Sequence, residues 1–136
     1  MKPYKIIVIL FFILIFGCQN DRNLDGNYSV CFNGEYSEVY FKKDSMSMAS
    51  DSEWVSLSEW RKIEVKNDTL YFETFGEWRD SATAEIKYIG RNKIELKLLE
   101  AKRSINLEPI NESLNFEKPK ELWNGFIKRL NSSNCE

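Results

Sequence analysis

The chain has no histidine, and its 136 residues include only three cysteines, three prolines and six glycines. Without imidazole there is no Ser–His or Cys–His pair, and the commonest general base and metal ligand is missing. No Cys cluster has zinc spacing, no glycine-rich loop could cradle a phosphate, and no acidic loop follows the EF-hand pattern. Neither sign of charge dominates, with 19 Lys+Arg against 21 Asp+Glu, so a basic nucleic-acid footprint is absent. Long apolar runs are also missing: the longest, Ile6 to Phe16, has eleven residues where a spanning helix needs roughly 20. Carboxylate pairs such as Glu77 and Asp80 read as solvated loop charge. A non-enzymatic protein without catalytic residues, metal, cofactor or nucleic-acid partner is expected. What the chain does have is aromatic residues, 14% of the total, and these argue against disorder and for a packed core.

The run Ile6–Phe16 follows Lys2 and Lys5 and ends in Ile15-Phe16-Gly17-Cys18, a positive n-region and an h-region before a small residue and Cys. This resembles the lipobox of bacterial lipoproteins. The resemblance implies a signal peptide at 1–17, removed after Gly17, with lipidation (diacylglyceryl, then palmitate-type acylation) at Cys18. Two or more acyl chains anchor stably where one holds weakly. Gln19 after the Cys resembles the outer-membrane sorting signal, and Gln19-Asn20-Asp21 also looks like the surface-export stretch of some envelope lipoproteins. The expected location is therefore lipid-anchored at the outer membrane, periplasmic or surface-exposed. From Cys18 onward 17 basic residues face 21 acidic ones, a net charge of −4. Residues 18–25 read as tether, 26–110 as the β-region and 111–136 as helix and tail.

Three hairpins can be placed by alternation and turn chemistry. Asn33-Gly34 is a strong two-residue turn; it sets Tyr28 opposite Val39 and Val30 opposite Ser37. Asn67-Asp68 sets Val65 against Leu70 and Ile63 against Phe72, with Lys62 meeting Glu73. Gly90-Arg91-Asn92, with Asn92 suited to the left-handed position, sets Tyr88 against Ile94, Ile86 against Leu96 and Ala84 against Leu98. On the other face of that pair Lys87 meets Glu95 and Glu85 meets Lys97. A one-residue slip would send every apolar group to solvent, so agreement among the three makes the register well determined. Ser104–Ile110 adds a further alternating strand, and the serine-rich stretch 44–58 has room for an eighth. The predicted fold is a mostly β antiparallel up-and-down meander or barrel of about 7–8 strands with one C-terminal α-helix. An open sheet or a sandwich fits the same pattern.

The opening Leu24-Asp25-Gly26-Asn27-Tyr28, Gly then an aromatic at the first strand, is similar to lipocalin-like small barrels of bacterial lipoproteins, over about residues 24–110. After it, Pro119 suits a first helical turn, and Leu122, Trp123, Phe126, Ile127 and Leu130 recur at helical spacing. The resemblance implies a helix packed outside the barrel. With Cys18 acylated, Cys31 and Cys135 remain in an oxidising compartment as a disulfide candidate, the alternative being two free thiols.

The tripeptide Glu-Trp-Arg occurs at 59–61 and at 77–79, with Glu53-Trp54 upstream. The second hairpin's register puts Trp60 opposite Phe75. Strand parity puts the tight turns at one end and the connections 43–59, 76–82 and 100–103 at the other. Trp54, Trp60, Arg61, Trp78 and Arg79 are thus the candidate mouth residues for a ligand or partner. The expected function is a monomeric binding module for a small apolar or amphipathic ligand at the barrel mouth. The alternative is a protein-interaction lipoprotein, an assembly accessory, inhibitor or immunity-type protein, using the loop surface above a filled barrel. Asp44-Ser45-Met46, Asp68-Thr69-Leu70 and Asp80-Ser81-Ala82 also resemble envelope O-glycosylation acceptors.

Overall fold

The alternating runs become strands where a turn residue can take positive φ. In the computed structural model, which describes residues 24–53, 55–76 and 79–136, Asn33 and Gly34 sit at φ 53° and 78°, and Asn67 and Asp68 at 51° and 55°. These are the left-handed pairs that match the twist of a hairpin. The leader 1–17, Cys18 and the tether as far as residue 23 lie outside the described residues, as do Trp54 and Trp78.

Among the described residues nine strands result: β1 (Gly26–Phe32), β2 (Glu35–Lys42), β3 (Ser45–Ser50), β4 (Arg61–Lys62), β5 (Glu64–Lys66), β6 (Thr69–Glu73), β7 (Ser81–Ile89), β8 (Lys93–Leu98) and β9 (Arg103–Pro109). They form one antiparallel sheet in the order β4-β3-β2-β1-β9-β8-β7-β6-β5. Its two edges, β4 and β5, are consecutive in the chain and separated only by Ile63, so the sheet curls into a nearly closed barrel. The helix α1 (Pro119–Ser132) follows, with Pro in its first turn.

The count of nine rather than seven or eight comes from that split. Val65 pairs with Leu70, but the expected pairing of Ile63 with Phe72 and of Lys62 with Glu73 does not form. At Ile63 the backbone N–H donates to the Asp44 carbonyl, and upstream of it Lys62 pairs with Ser45 and Arg61 with Met46. One run therefore serves two neighbours. The first and third hairpins have the expected registers, including Tyr28↔Val39, Ile86↔Leu96 and Lys87↔Glu95. In the third turn the left-handed residue is Gly90, φ 63°, not Asn92, since only glycine reaches that region without a Cβ penalty.

The β2–β3 hairpin, with Lys43 at φ 58°, changes the predicted parity. Turns 43–44, 67–68 and 90–92 share one end of the barrel. Turn 33–34 instead joins the connections 51–60, 74–80 and 99–102 at the other. Arg103 confirms that placement by donating to Asn33 Oδ1 at 3.2 Å.

Inside the barrel a single core contains Ile63, Leu70, Ile86 and Leu96 together with Tyr28, Phe41 and Ile94. Leu24, 1% exposed, plugs the tight-turn end. Gly26 permits this: its φ is 126°, and a Cβ there would lie 3.0 Å from Tyr28 Oη. A second cluster lies outside the barrel, where Tyr36, Tyr40 and Ala49 meet Phe116, Trp123, Phe126, Ile127 and Leu130. Full burial of Phe126 alone contributes about 1.5–3 kcal/mol. Cys31 and Cys135 are joined by a disulfide with Cα atoms 5.3 Å apart, which ties the tail after α1 to β1. Among the described residues no helix is long and apolar enough to cross a membrane.

Candidate functional site

On two strands the inward-facing residues shrink toward the long connections. On β2 the series runs Phe41, Val39, Ser37, and on β7 it runs Tyr88, Ile86, Ala84, Ala82. Tyr28, Phe41 and Tyr88 fill the tight-turn half; Ser37, Ala84 and Ala82 leave space in the other. The result is a cavity of about 620 Å³ whose wall is built from Val30, Val39, Leu70, Phe72, Leu96 and Ile105. Its rim carries Phe32, Val55 and Phe75, with the carboxylates of Glu35, Asp80 and Glu100. Phe32 is 37% exposed, as befits a side chain half in the opening.

Two mouth segments are fixed by short-range bonds. The Thr74 N–H donates to the Asp80 carbonyl (2.8 Å), and the Asp80 N–H donates back to Thr74 Oγ1 (3.1 Å), closing the 74–80 connection. Glu100 accepts from the Thr83 hydroxyl (2.5 Å) and the Thr83 N–H (3.1 Å). The Thr83 hydroxyl and then its N–H hold the Glu100 carboxyl below the usual carboxylate range, so it stays charged.

The candidate mouth residues divide. Arg61 faces inward beside the cavity: its guanidinium lies 4.4 Å from the centroid of the Phe75 ring, and Nη1 donates to the Thr74 carbonyl at 2.6 Å. It bridges the seam where β4 leaves β6. Trp60 is not opposite Phe75 and not at the mouth. Between the Ala49–Leu57 bridge and the Met46–Arg61 pair, two residues of β3 oppose three (Ser58, Glu59, Trp60), a β-bulge. Trp60 lies on the outer face, its ring 5.2 Å from that of Phe116. Arg79 is exposed and ion-paired with Glu59 at 2.5 Å, which joins the two Glu-Trp-Arg copies, and neither of these two residues lines the cavity. Trp54 and Trp78 belong to the undescribed residues.

Phe75, Val55, Glu35, Asp80 and Glu100 are rim residues that strand-by-strand reading missed. The size taper toward Ser37 and Ala82 is the signal that could have located them. Among the described residues no group of three Cys, Asp or Glu could hold a metal ion. Compared with known proteins, the chain matches no family model, no curated protein and no solved structure.

Proposed function

We propose that this chain is a non-enzymatic carrier, a lipocalin-like barrel that holds one small apolar or amphipathic molecule in its open half. The carrying observation is the cavity of about 620 Å³, mostly apolar and opening between the long connections. Small-molecule sites are commonly concave, apolar and 300–1,000 Å³, with a few polar groups that orient the ligand. An eight-stranded up-and-down barrel can enclose one small ligand, and the split run β4–β5 makes this barrel close to that size. The alternative, a partner docked on the loops, would have drawn its support from a filled interior. The same proposal includes acylation at Cys18 and outer-membrane tethering of a monomer, supported by the Ile15-Phe16-Gly17-Cys18 run.

The test is titration of the full-length chain with the neutral apolar fluorophore N-phenyl-1-naphthylamine. Saturable binding at one site per chain is expected, and Ala82→Trp, which fills the cavity from an inward position on β7, should abolish it. Absence of binding to the unaltered chain, or undiminished binding to a folded Ala82→Trp variant, overturns the proposal.

A further inference from the structure

The cavity's lining carries acidic residues only among its charged groups. Glu35, Asp80 and Glu100 reach it from the start of β2, the β6–β7 connection and the β8–β9 connection, while among the described residues no lysine or arginine lines it. None of the three carboxylates is in an ion pair with a described residue. Three guanidinium groups lie nearby, outside the cavity's lining. Arg61 is bound to the Thr74 carbonyl, Arg79 to Glu59, and Arg103 lies over the Phe32 ring and bonds Asn33.

We infer that the occupant is a small amphipathic amine, its apolar body against the cavity wall and its cationic nitrogen among the three rim carboxylates. This rests on the carrier reading above and adds the sign of the head group. The cavity supplies the site; the carboxylates supply its selectivity. Charge of one sign at the mouth of a low-dielectric cleft focuses the field and concentrates ions of opposite sign. A fatty-acid carboxylate would be brought against like charge, which costs affinity and disfavours that class of ligand.

The test compares octylamine, 1-octanol and octanoate as competitors for N-phenyl-1-naphthylamine on the full-length chain at neutral pH and low salt. The three share a tail and differ in head charge. Octylamine should compete at least about tenfold more tightly than octanoate, about 1.4 kcal/mol, with octanol between them. In the Glu35→Gln/Glu100→Gln double variant that advantage should fall to about threefold or less while octanol is unchanged. Equal competition by all three, or stronger competition by octanoate, overturns the amine assignment and leaves the carrier reading standing. An amine advantage that survives the double variant also overturns it, by placing the charge recognition elsewhere. Failure of the fluorophore to bind overturns both.

Discussion

Glu38 has no contact with solvent, and its carboxylate accepts four hydrogen bonds: from Tyr36 (2.7 Å), Tyr40 (2.5 Å), and Nε and Nη2 of Arg129 (2.7 and 3.1 Å). Arg129 also reaches Glu112 at 2.8 Å, and Gly125 leaves room for its guanidinium to lie back along the helix. Removing one partner of a buried pair strands the other charge. Arg129→Met should therefore cost about 3–5 kcal/mol in urea unfolding. Glu38→Gln combined with Arg129→Met should recover part of that loss, because no uncompensated charge remains. Burial first, and then the hydrogen bond to Glu38, push the Tyr36 and Tyr40 hydroxyls far above the ordinary tyrosine range. Above about pH 10 the unfolded chain releases these protons while the folded chain keeps them, so the folded state binds more protons there. Stability should be intact below about pH 10 and fall as pH rises beyond it. Urea midpoints from pH 8 upward, with phenolate absorbance followed in parallel, check this; Tyr40→Phe should flatten the slope. Nothing in the sequence paired Glu38 with Arg129, which are 91 residues apart, because strand alternation marks Glu38 only as outward and outward acids are ordinarily solvated.

The hairpins show how far local chemistry reaches. Asn33-Gly34 and the alternation around it set seven pairs correctly, since turn and apolar face agreed. At Asn67-Asp68 the same logic held for three pairs and then failed at Ile63, where β3 takes over the strand. β3 itself alternates, with Met46 and Met48 inward and Ser47 and Ala49 outward, but its outer residues are small because they sit beneath other chain segments. The serine-rich run thus reads as loop. Asp68 holds a left-handed conformation that glycine adopts without penalty, so Asp68→Gly should raise stability by about 0.5–1 kcal/mol, read as a higher urea midpoint. The Cys31–Cys135 bridge spans 104 residues, and in the chain-entropy model a loop of that order contributes about 4.7 kcal/mol. Cys135→Ser should lower the unfolding free energy by up to that amount, read from the urea midpoint, with little change in far-ultraviolet circular dichroism. Phe126 and Arg129 still hold α1 against β2.

Across the whole molecule, filling is graded: rings crowd the tight-turn end and space opens toward the long connections. Paired faces were legible residue by residue, but a cavity is a property of all strands at once, and no single strand's alternation reveals it. If the hollow half holds a ligand, saturation at about 100 times Kd should stabilise the fold by about 2.7 kcal/mol and raise the melting temperature. A fold whose Ala82→Trp variant melts at the same temperature with and without that ligand would confirm that the stabilisation arises in the cavity. One further consequence lies in where the backbone first joins the sheet. Leu24 is embedded in the floor of the cup, and under the proposed acylation the greasy anchor at Cys18 sits just six positions upstream. An anchor there would moor the vessel by its base, with its lip a strand length of roughly 25 Å higher. On that proposal the lip would face away from the leaflet, toward cargo arriving through the aqueous space.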